Sequence, residues 1–295
     1  MKVLKFGGTS VGSIDSLKNV KTIIENQAEQ TVVVVSALGG VTDQLLEMTR
    51  KAEAHDDSYE IMLEQLYNRH ITVIDGVVPA SRRQQCKKVI DNFLRVGLPQ
   101  FYGLLYANRQ LDHDSKAGIE EAIVSHGEIM SSAIVTLMID DAVPHFSPSF
   151  IKTKDVDGER ILDNSSFDRV VKEFKGCTQA VHVTQGFISE DSGNGANTNL
   201  GRGGSDFTAA IIAAALDARC LEIWTDVDGF YTADPKKDPD ARIIEKMGYQ
   251  RAIEMCEAGA KVIYAPTLSP VALKHIPVWV KNTFNPTAPG TLIAD

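Results

Sequence analysis

Near the start of the chain a lysine stands just before a pair of glycines, in Lys5-Phe6-Gly7-Gly8-Thr9-Ser10-Val11-Gly12. The short apolar segment Val3, Leu4, Phe6 reads as a buried strand, and polar, helix-compatible sequence follows the glycines. Adjacent glycines at a strand end let the backbone turn tightly and bring its N–H groups toward a ligand. The positive end of the following helix points at the same place, which suits an anion such as a phosphate. A tight β-to-α turn that merely contains Gly-Gly fits these residues equally well, so other clusters must decide.

Four further segments carry chemistry-bearing side chains. Ser36-Ala37-Leu38-Gly39-Gly40-Val41-Thr42-Asp43 is a second glycine loop feeding a helix, with Thr42 or Asp43 as its expected N-cap. Ser125-His126-Gly127-Glu128 interrupts an apolar helix with a glycine and a glutamate that need a reason, and a solvated turn of that helix is the alternative to a role at a site. His126 alone reads as structural. Gly201-Arg202-Gly203-Gly204-Ser205-Asp206 opens a strongly apolar helix, with Ser205 as the expected cap and Asp206 favoured by the helix dipole. Capping leaves Arg202 unexplained; its planar fork suits a carboxylate or a phosphate.

The last cluster, Trp224-Thr225-Asp226-Val227-Asp228-Gly229-Phe230-Tyr231-Thr232-Ala233-Asp234-Pro235, mixes aromatics, hydroxyls and acids after a strand. That mixture suits a nucleoside and its metal-bound phosphates. Gly259-Ala260-Lys261 then places a second lysine after an amphipathic helix. Two lysines bracketing glycine loops in an acidic protein suggest a phosphate clamp.

The absent motifs narrow the field. There is no GxxxxGK followed by Ser or Thr, no GxGxxG after a strand, no HExxH and no GxSxG. Asp226-Val227-Asp228-Gly229 carries its glycine at the fourth position, where a calcium loop needs it at the sixth.

Elements at sheet spacing must hold these clusters together. The reading is strand 2–6, helix 13–29, strand 31–35, helix 43–54, a helical excursion over 58–110, helix 118–140 and strand 143–146. Asp157-Gly158 then tips a hairpin, followed by helix 165–174, strand 179–184 and a small polar loop, 193–199, expected to act as a mobile flap. Helix 205–218, strand 220–225, helices 249–258 and 267–274, and strand 277–281 complete the chain. The continuous run Thr31-Val32-Val33-Val34-Val35 marks a strand covered on both faces. The alternation predicts an α/β fold, an open αβα sandwich around a mostly parallel sheet, with ligands beyond the carboxyl ends of its strands.

At 295 residues, 43% hydrophobic and 23% charged, the chain has the composition of a soluble globular protein. A net charge of −9 argues against general nucleic-acid binding. No apolar run reaches the ~20 residues of a membrane span. No leader peptide is read, so a cytoplasmic location is expected. Cys86, Cys177, Cys220 and Cys256 form no CxxC pair and read as reduced core residues, with no redox or zinc role and no protein-bound metal expected.

Taken together, KFGGTS, SHGE, GRGGSD, the 224–235 loop and Gly259-Ala260-Lys261-Val262 resemble aspartokinases of the amino acid kinase superfamily over essentially the whole chain. The 224–235 loop is shared more widely, with glutamate 5-kinases and uridylate kinases. The resemblance implies transfer of the ATP γ-phosphoryl, with Mg²⁺, to the β-carboxylate of L-aspartate, on the route to lysine, threonine and methionine. It implies an aspartate-binding part over about residues 1–200 and a nucleotide-binding part over about 201–295.

Carried over by motif, Lys5, Asp206 and Lys261 are the catalytic set. Ser36, Thr42, Glu128, Arg202, Ser205 and Asp206 hold the acceptor. Lys5, Gly7, Gly8, Thr225, Asp226, Tyr231, Lys236 and Lys261 serve the nucleotide. Two local differences stand out: Lys236 occupies a position where the family often has arginine, and Val262-Ile263-Tyr264-Ala265-Pro266 stands where many members read V-L-H-P. The chain ends about where the family's regulatory ACT domains begin. The expectation is therefore a catalytic part without its sensor and without feedback inhibition of its own. The oligomeric state, a homodimer included, stays open. A kinase for glutamate or a nucleotide, and a catalytically silent nucleotide-binding module, are the competing readings.

Overall fold

Strand β1 (Lys2–Phe6) pairs in parallel with β2 (Thr31–Val35) on one side and with β9 (Leu221–Thr225) on the other. Successive side chains of a strand point to opposite faces, and this sheet has a separate core on each. Leu4, Phe6, Val33 and Val35 belong to one, and Val3, Val32 and Val34 to the other. All five residues of β2 are buried, as the unbroken β-branched run predicts. Lys5 shares the face of Val3, so a cation emerges at a core position of a central strand.

The computed structural model describes residues 1–108, 111–260 and 262–295. After β1 come α1 (Ile14–Glu25), β2 and α2 (Val41–Glu53). The helical excursion resolves into α3 (Ser58–Val77), α4 (Ala80–Asp91) and α5 (Leu98–Ala107), with a π-helical turn, Asn92–Gly97, before α5. The long α6 (His113–Met138) leads to β3 (Val143–His145) and then to β4 (Lys152–Val156) and β5 (Glu159–Leu162). Next follow α7 (Ser165–Phe174), β6 (Val181–Gln185), β7 (Ile188–Asp191), β8 (Asn197–Asn199) and α8 (Gly204–Ala215). Beyond β9 lie β10 (Lys246–Met247), α9 (Tyr249–Glu257), α10 (Leu268–Leu273), β11 (Val278–Asn282) and β12 (Thr291–Ile293).

Among the described residues the main sheet has eight strands in the order β10-β12-β11-β9-β1-β2-β6-β3. It is parallel from β11 to β3; β12 runs against β11, and β10 runs with β12. Helices cover both faces, giving the expected open αβα sandwich. From β1 the chain moves to β2 on one side, and from β9 it moves toward β11 on the other. The carboxyl ends of β1 and β9 therefore flank the point where strand order reverses, the usual ligand crevice of such sheets. No helix among the described residues is long and apolar enough to cross a membrane.

Asp157 (φ 56°) and Gly158 (φ 83°) turn the β4–β5 hairpin as predicted. The 193–199 segment differs from the expected flap. It forms the β7–β8 hairpin of a second, four-stranded sheet. Asp191 accepts hydrogen bonds from the amides of Gly193 and Asn194, and buried Thr198 contacts the hydroxyls of Thr153 and Ser189. These bonds tie the loop to the sheet.

The two helix caps also differ. Gly40 (φ 79°) caps α2 and Gly203 (φ 69°) caps α8, neither with a side-chain bond. At both positions a left-handed glycine turns the chain into the helix. Thr42, Asp43, Ser205 and Asp206 are thereby left within the first turn, not needed as caps.

Candidate active site

Lys5 Nζ lies 2.6 Å from Asp206 Oδ1, and both side chains are nearly buried, at 11% and 12% exposure. The strand alternation aims Lys5 at α8, and Asp206 in the first turn of α8 meets it. Close approach of α8 depends on Gly186, directly after β6: a Cβ there would fall 2.5 Å from Ser205 Cβ. A Cβ on Gly7 would fall 3.2 Å from Lys5 Nζ, so this glycine keeps room for the ammonium. The amide of Gly7 donates to the Trp224 carbonyl at 3.3 Å. That N–H extends the sheet ladder, a different use from the ligand contact expected of it.

Glu128 is buried within α6, at 4% exposure, so the solvated-turn explanation fails. Its Oε1 accepts the Ala37 amide at 3.1 Å, while Oε2 has no protein partner. Gly127 permits this approach, because a Cβ there would lie 2.9 Å from Ala37 Cβ. Burial pushes the Glu128 carboxyl up to about 8, against the opposing pull of the Ala37 amide. An orphaned carboxylate oxygen inside a protein is costly, and a cationic ligand would satisfy it.

A cavity of ≈ 330 Å³ gathers Lys5, Ser36, Thr42, Glu128, Arg202, Ser205 and Asp206. Every residue assigned to the acceptor from sequence lines this one cavity, which draws on both sides of residue 200. Arg202 is exposed at its rim and has no carboxylate partner among the described residues. Phe187, just beyond Gly186, also lines it and sits at φ 68° with its amide donating to Thr208 Oγ1. Sequence reading passed over Phe187; a rare backbone conformation leaves no mark in residue type.

A second missed residue is Arg69 on α3. Its Nη2 donates to the carbonyls of Gly12 at 3.1 Å and Gly39 at 2.7 Å, clamping the two glycine loops together. Charged hydrogen bonds of this kind are worth about 1.5–3 kcal/mol. Arg69→Ala is expected to lower unfolding stability by about that amount, and to speed amide exchange in both loops. Unchanged denaturant midpoint and exchange would refute the clamp.

A second cavity of ≈ 580 Å³ shares Arg202, Gly203 and Asp206 with the first and extends to Gly259, Ala260, Val262 and Tyr264. A third, of ≈ 720 Å³, shares Gly259, Ala260 and Val262 and continues past Phe230, Tyr231, Lys236 and Met255. The three form a continuous run. Lys261 lies outside the described residues, although both its chain neighbours line the second and third cavities. Thr225 and Asp226 hydrogen-bond to each other beside the run without lining it. Gly8 does not line it either.

The 224–235 loop is also more structural than its composition suggests. Trp224 and Phe230 are core residues at 3% and 0% exposure, Trp224 stacking on Phe6. Asp228 accepts from Asn282, Asn285 and the Tyr231 hydroxyl, which fixes the loop. Of the three aromatics, Tyr231 is the one left partly open to a ligand.

An open αβα sandwich with a paired lysine at its central strand end, and cavities strung along the strand termini, is the framework of a small-molecule-binding α/β protein. The chain belongs to the amino acid kinase family, whose sequence profile matches residues 1–282. It is 31% identical over 300 residues to lysine-sensitive aspartokinase 3 of Escherichia coli, covering 99% of this chain and 64% of that protein. It is 33% identical to bifunctional aspartokinase/homoserine dehydrogenase 1, chloroplastic, of Zea mays, covering 99% of this chain and 32% of that one. Its structure superposes on E. coli aspartokinase III in complex with aspartate and ADP with a TM-score of 0.83 at 29% identity, covering 100% of this chain and 64% of that chain. The chain thus spans about a third of the bifunctional relatives and about two thirds of the monofunctional one.

Proposed function

We propose that this chain transfers the γ-phosphoryl group of ATP to the β-carboxylate of L-aspartate, giving 4-phospho-L-aspartate. The observation that carries this reading is the ≈ 330 Å³ cavity, in which a buried carboxyl with a free oxygen, an unpaired arginine and a paired lysine face a space sized for a small amino acid. Arg202 takes the α-carboxylate as a fork, and Glu128 faces the ammonium group. Ser36, Thr42 and Ser205 supply hydroxyls around the acceptor.

The nucleophile is a carboxylate, ionised at neutral pH, so no general base is required. Catalysis then reduces to holding two anions in line and screening their repulsion. Lys5 performs that screening, with Asp206 fixing its ammonium. Lys261 is the second cation of this scheme by family pattern. Nucleotide phosphates occupy the ≈ 580 Å³ cavity, and the nucleoside the ≈ 720 Å³ one beside Tyr231 and Lys236. Mg²⁺ enters as part of the nucleotide substrate. Among the described residues no three acidic side chains converge at these cavities, which fits an ion held mainly by phosphate oxygens and water. In this scheme residues 1–200 share the acceptor site with Arg202, Ser205 and Asp206, and residues 201–295 supply the nucleotide site, the start of α8 serving both.

Incubation with Mg-ATP and hydroxylamine should yield a hydroxamate with aspartate, and none with glutamate or uridine monophosphate. Product with another acceptor instead would reassign the substrate, and none with any would mark a silent nucleotide-binding module.

A further inference from the structure

Away from these cavities, His145 at the end of β3, His182 in β6 and Cys177 after α7 present ligand atoms that all lie within 4.8 Å of one another. None of the three lines the candidate active site. Both histidines are buried, at 8% and 0% exposure, and Phe174 packs against both rings.

The hydrogen bonds around the rings settle their protons. His145 Nδ1 lies 2.8 Å from a carboxylate oxygen of Glu173, which accepts, so this nitrogen carries the hydrogen. His182 Nε2 lies 3.1 Å from the Gln179 carbonyl and 3.1 Å from Gln30 Nε2. The Gln30 amide has two hydrogens, and the carbonyls of Cys177 and Gln179 take them. His182 Nε2 is therefore a donor, to Gln179. Each ring is left with its other nitrogen bare, and those two, His145 Nε2 and His182 Nδ1, face each other at 2.9 Å. Two opposed lone pairs repel unless a proton or a metal ion lies between them.

We propose that His145, His182 and Cys177 form a binding site for a divalent transition metal of the zinc class. The donor set, two imidazoles and a thiol, suits such an ion. A tetrahedral ion with Zn–N of ~2.0–2.1 Å sets its nitrogens roughly 3.3 Å apart, so the rings open by about 0.4 Å. The Cys177 thiol now donates to the Glu173 carbonyl at 3.7 Å. On binding, the S–H bond breaks, the thiolate sulfur coordinates the ion and the proton leaves to solvent. Glu173, 35% exposed, and half-buried Cys177 give access to water, which fills the fourth position. Glu173 and Gln179 act as the outer partners that orient the two rings. Cys177 escapes spacing rules because its partners come from two other strands.

The test uses the whole chain with Zn²⁺ alone, and with Co²⁺ as a spectroscopic stand-in. One zinc per chain should survive gel filtration, and cobalt should give a thiolate-to-metal charge-transfer absorption. Cys177→Ser should abolish that absorption and release the zinc. Glu173→Gln, which removes no ligand atom but alters the partner of His145 Nδ1, should weaken zinc binding about 10–100-fold by loosening the His145 ring. No zinc retained by the unaltered chain would mean a shared proton only, and equal retention by Cys177→Ser would mean adventitious binding. Either result overturns the proposal.

Discussion

Lys5→Ala is expected to lower aspartate-dependent turnover on the order of 10²–10³-fold, the scale of losing one preorganised charge-stabilising donor. In the proposed reaction the lysine screens the transferred group, its ammonium held 2.6 Å from Asp206 at the junction of strand end and helix start. Removing it leaves two anions to approach without screening, a loss that falls on kcat far more than on KM. The change also strands Asp206, nearly buried, so the variant should unfold more readily. Pairing Lys5→Ala with Asp206→Asn separates the effects: the double variant regains stability and stays inactive. Near-normal turnover in a folded Lys5→Ala protein would sink the assignment.

Glu128→Gln carries the second large effect, and it is read through pH. In the free protein burial holds the Glu128 carboxyl up at about 8, so it is mostly protonated at neutral pH. On the proposed reading the ammonium group of aspartate favours the ionised form, so binding is expected to expel a proton. Affinity for aspartate should rise with pH toward about 8 and then level off. Glu128→Gln should weaken binding roughly 10–100-fold, the equivalent of about 1.5–3 kcal/mol for a charged hydrogen bond, and flatten that pH dependence.

Stability of the free protein moves in the opposite sense. Between the ordinary carboxyl value of 4.5 and about 8, the unfolded chain has lost a proton that the folded one keeps. The folded state then holds more protons, so rising pH weakens it by up to about 1.4 kcal/mol per pH unit across that window. Glu128→Gln removes this slope. Calorimetry in buffers of different ionisation enthalpy reads the proton release, and denaturant titrations at both ends of the window read the slope. A variant that keeps either dependence would show that another group is responsible.

Much of this was legible from residue order. Strands β1, β2, β6, β9 and β11 were legible as short segments rich in β-branched and other apolar residues alternating with helical ones, and both covered faces of β2 could be read from its β-branched residues. Ser36, Thr42, Arg202, Ser205 and Asp206 emerged together because each stands at a strand end or helix start, where polar side chains have no packing role, and Glu128 stood out as a carboxylate inside the apolar α6. Strands β7, β8, β10 and β12 escaped notice because they have two to four residues, too few to show a period. The caps of α2 and α8 were misplaced because a left-handed glycine begins a helix without the side-chain bond that Ser, Thr or Asp advertises. Trp224 and Phe230 looked like ligand platforms and are core. Arg69 was invisible, because its partners are backbone carbonyls in two loops distant in sequence.

The alternation of β1 ties folding fidelity to catalysis. A slip of one residue against β2 would carry Lys5 to the face of Leu4 and Phe6 and drive its ammonium into hydrocarbon, away from Asp206. The wrong register is therefore penalised at the position on which the proposed reaction depends. Chains that pair β1 correctly are selected by the same charge that the proposed reaction uses to steady the phosphoryl group, so on that reading the lysine proofreads the sheet before it meets a substrate.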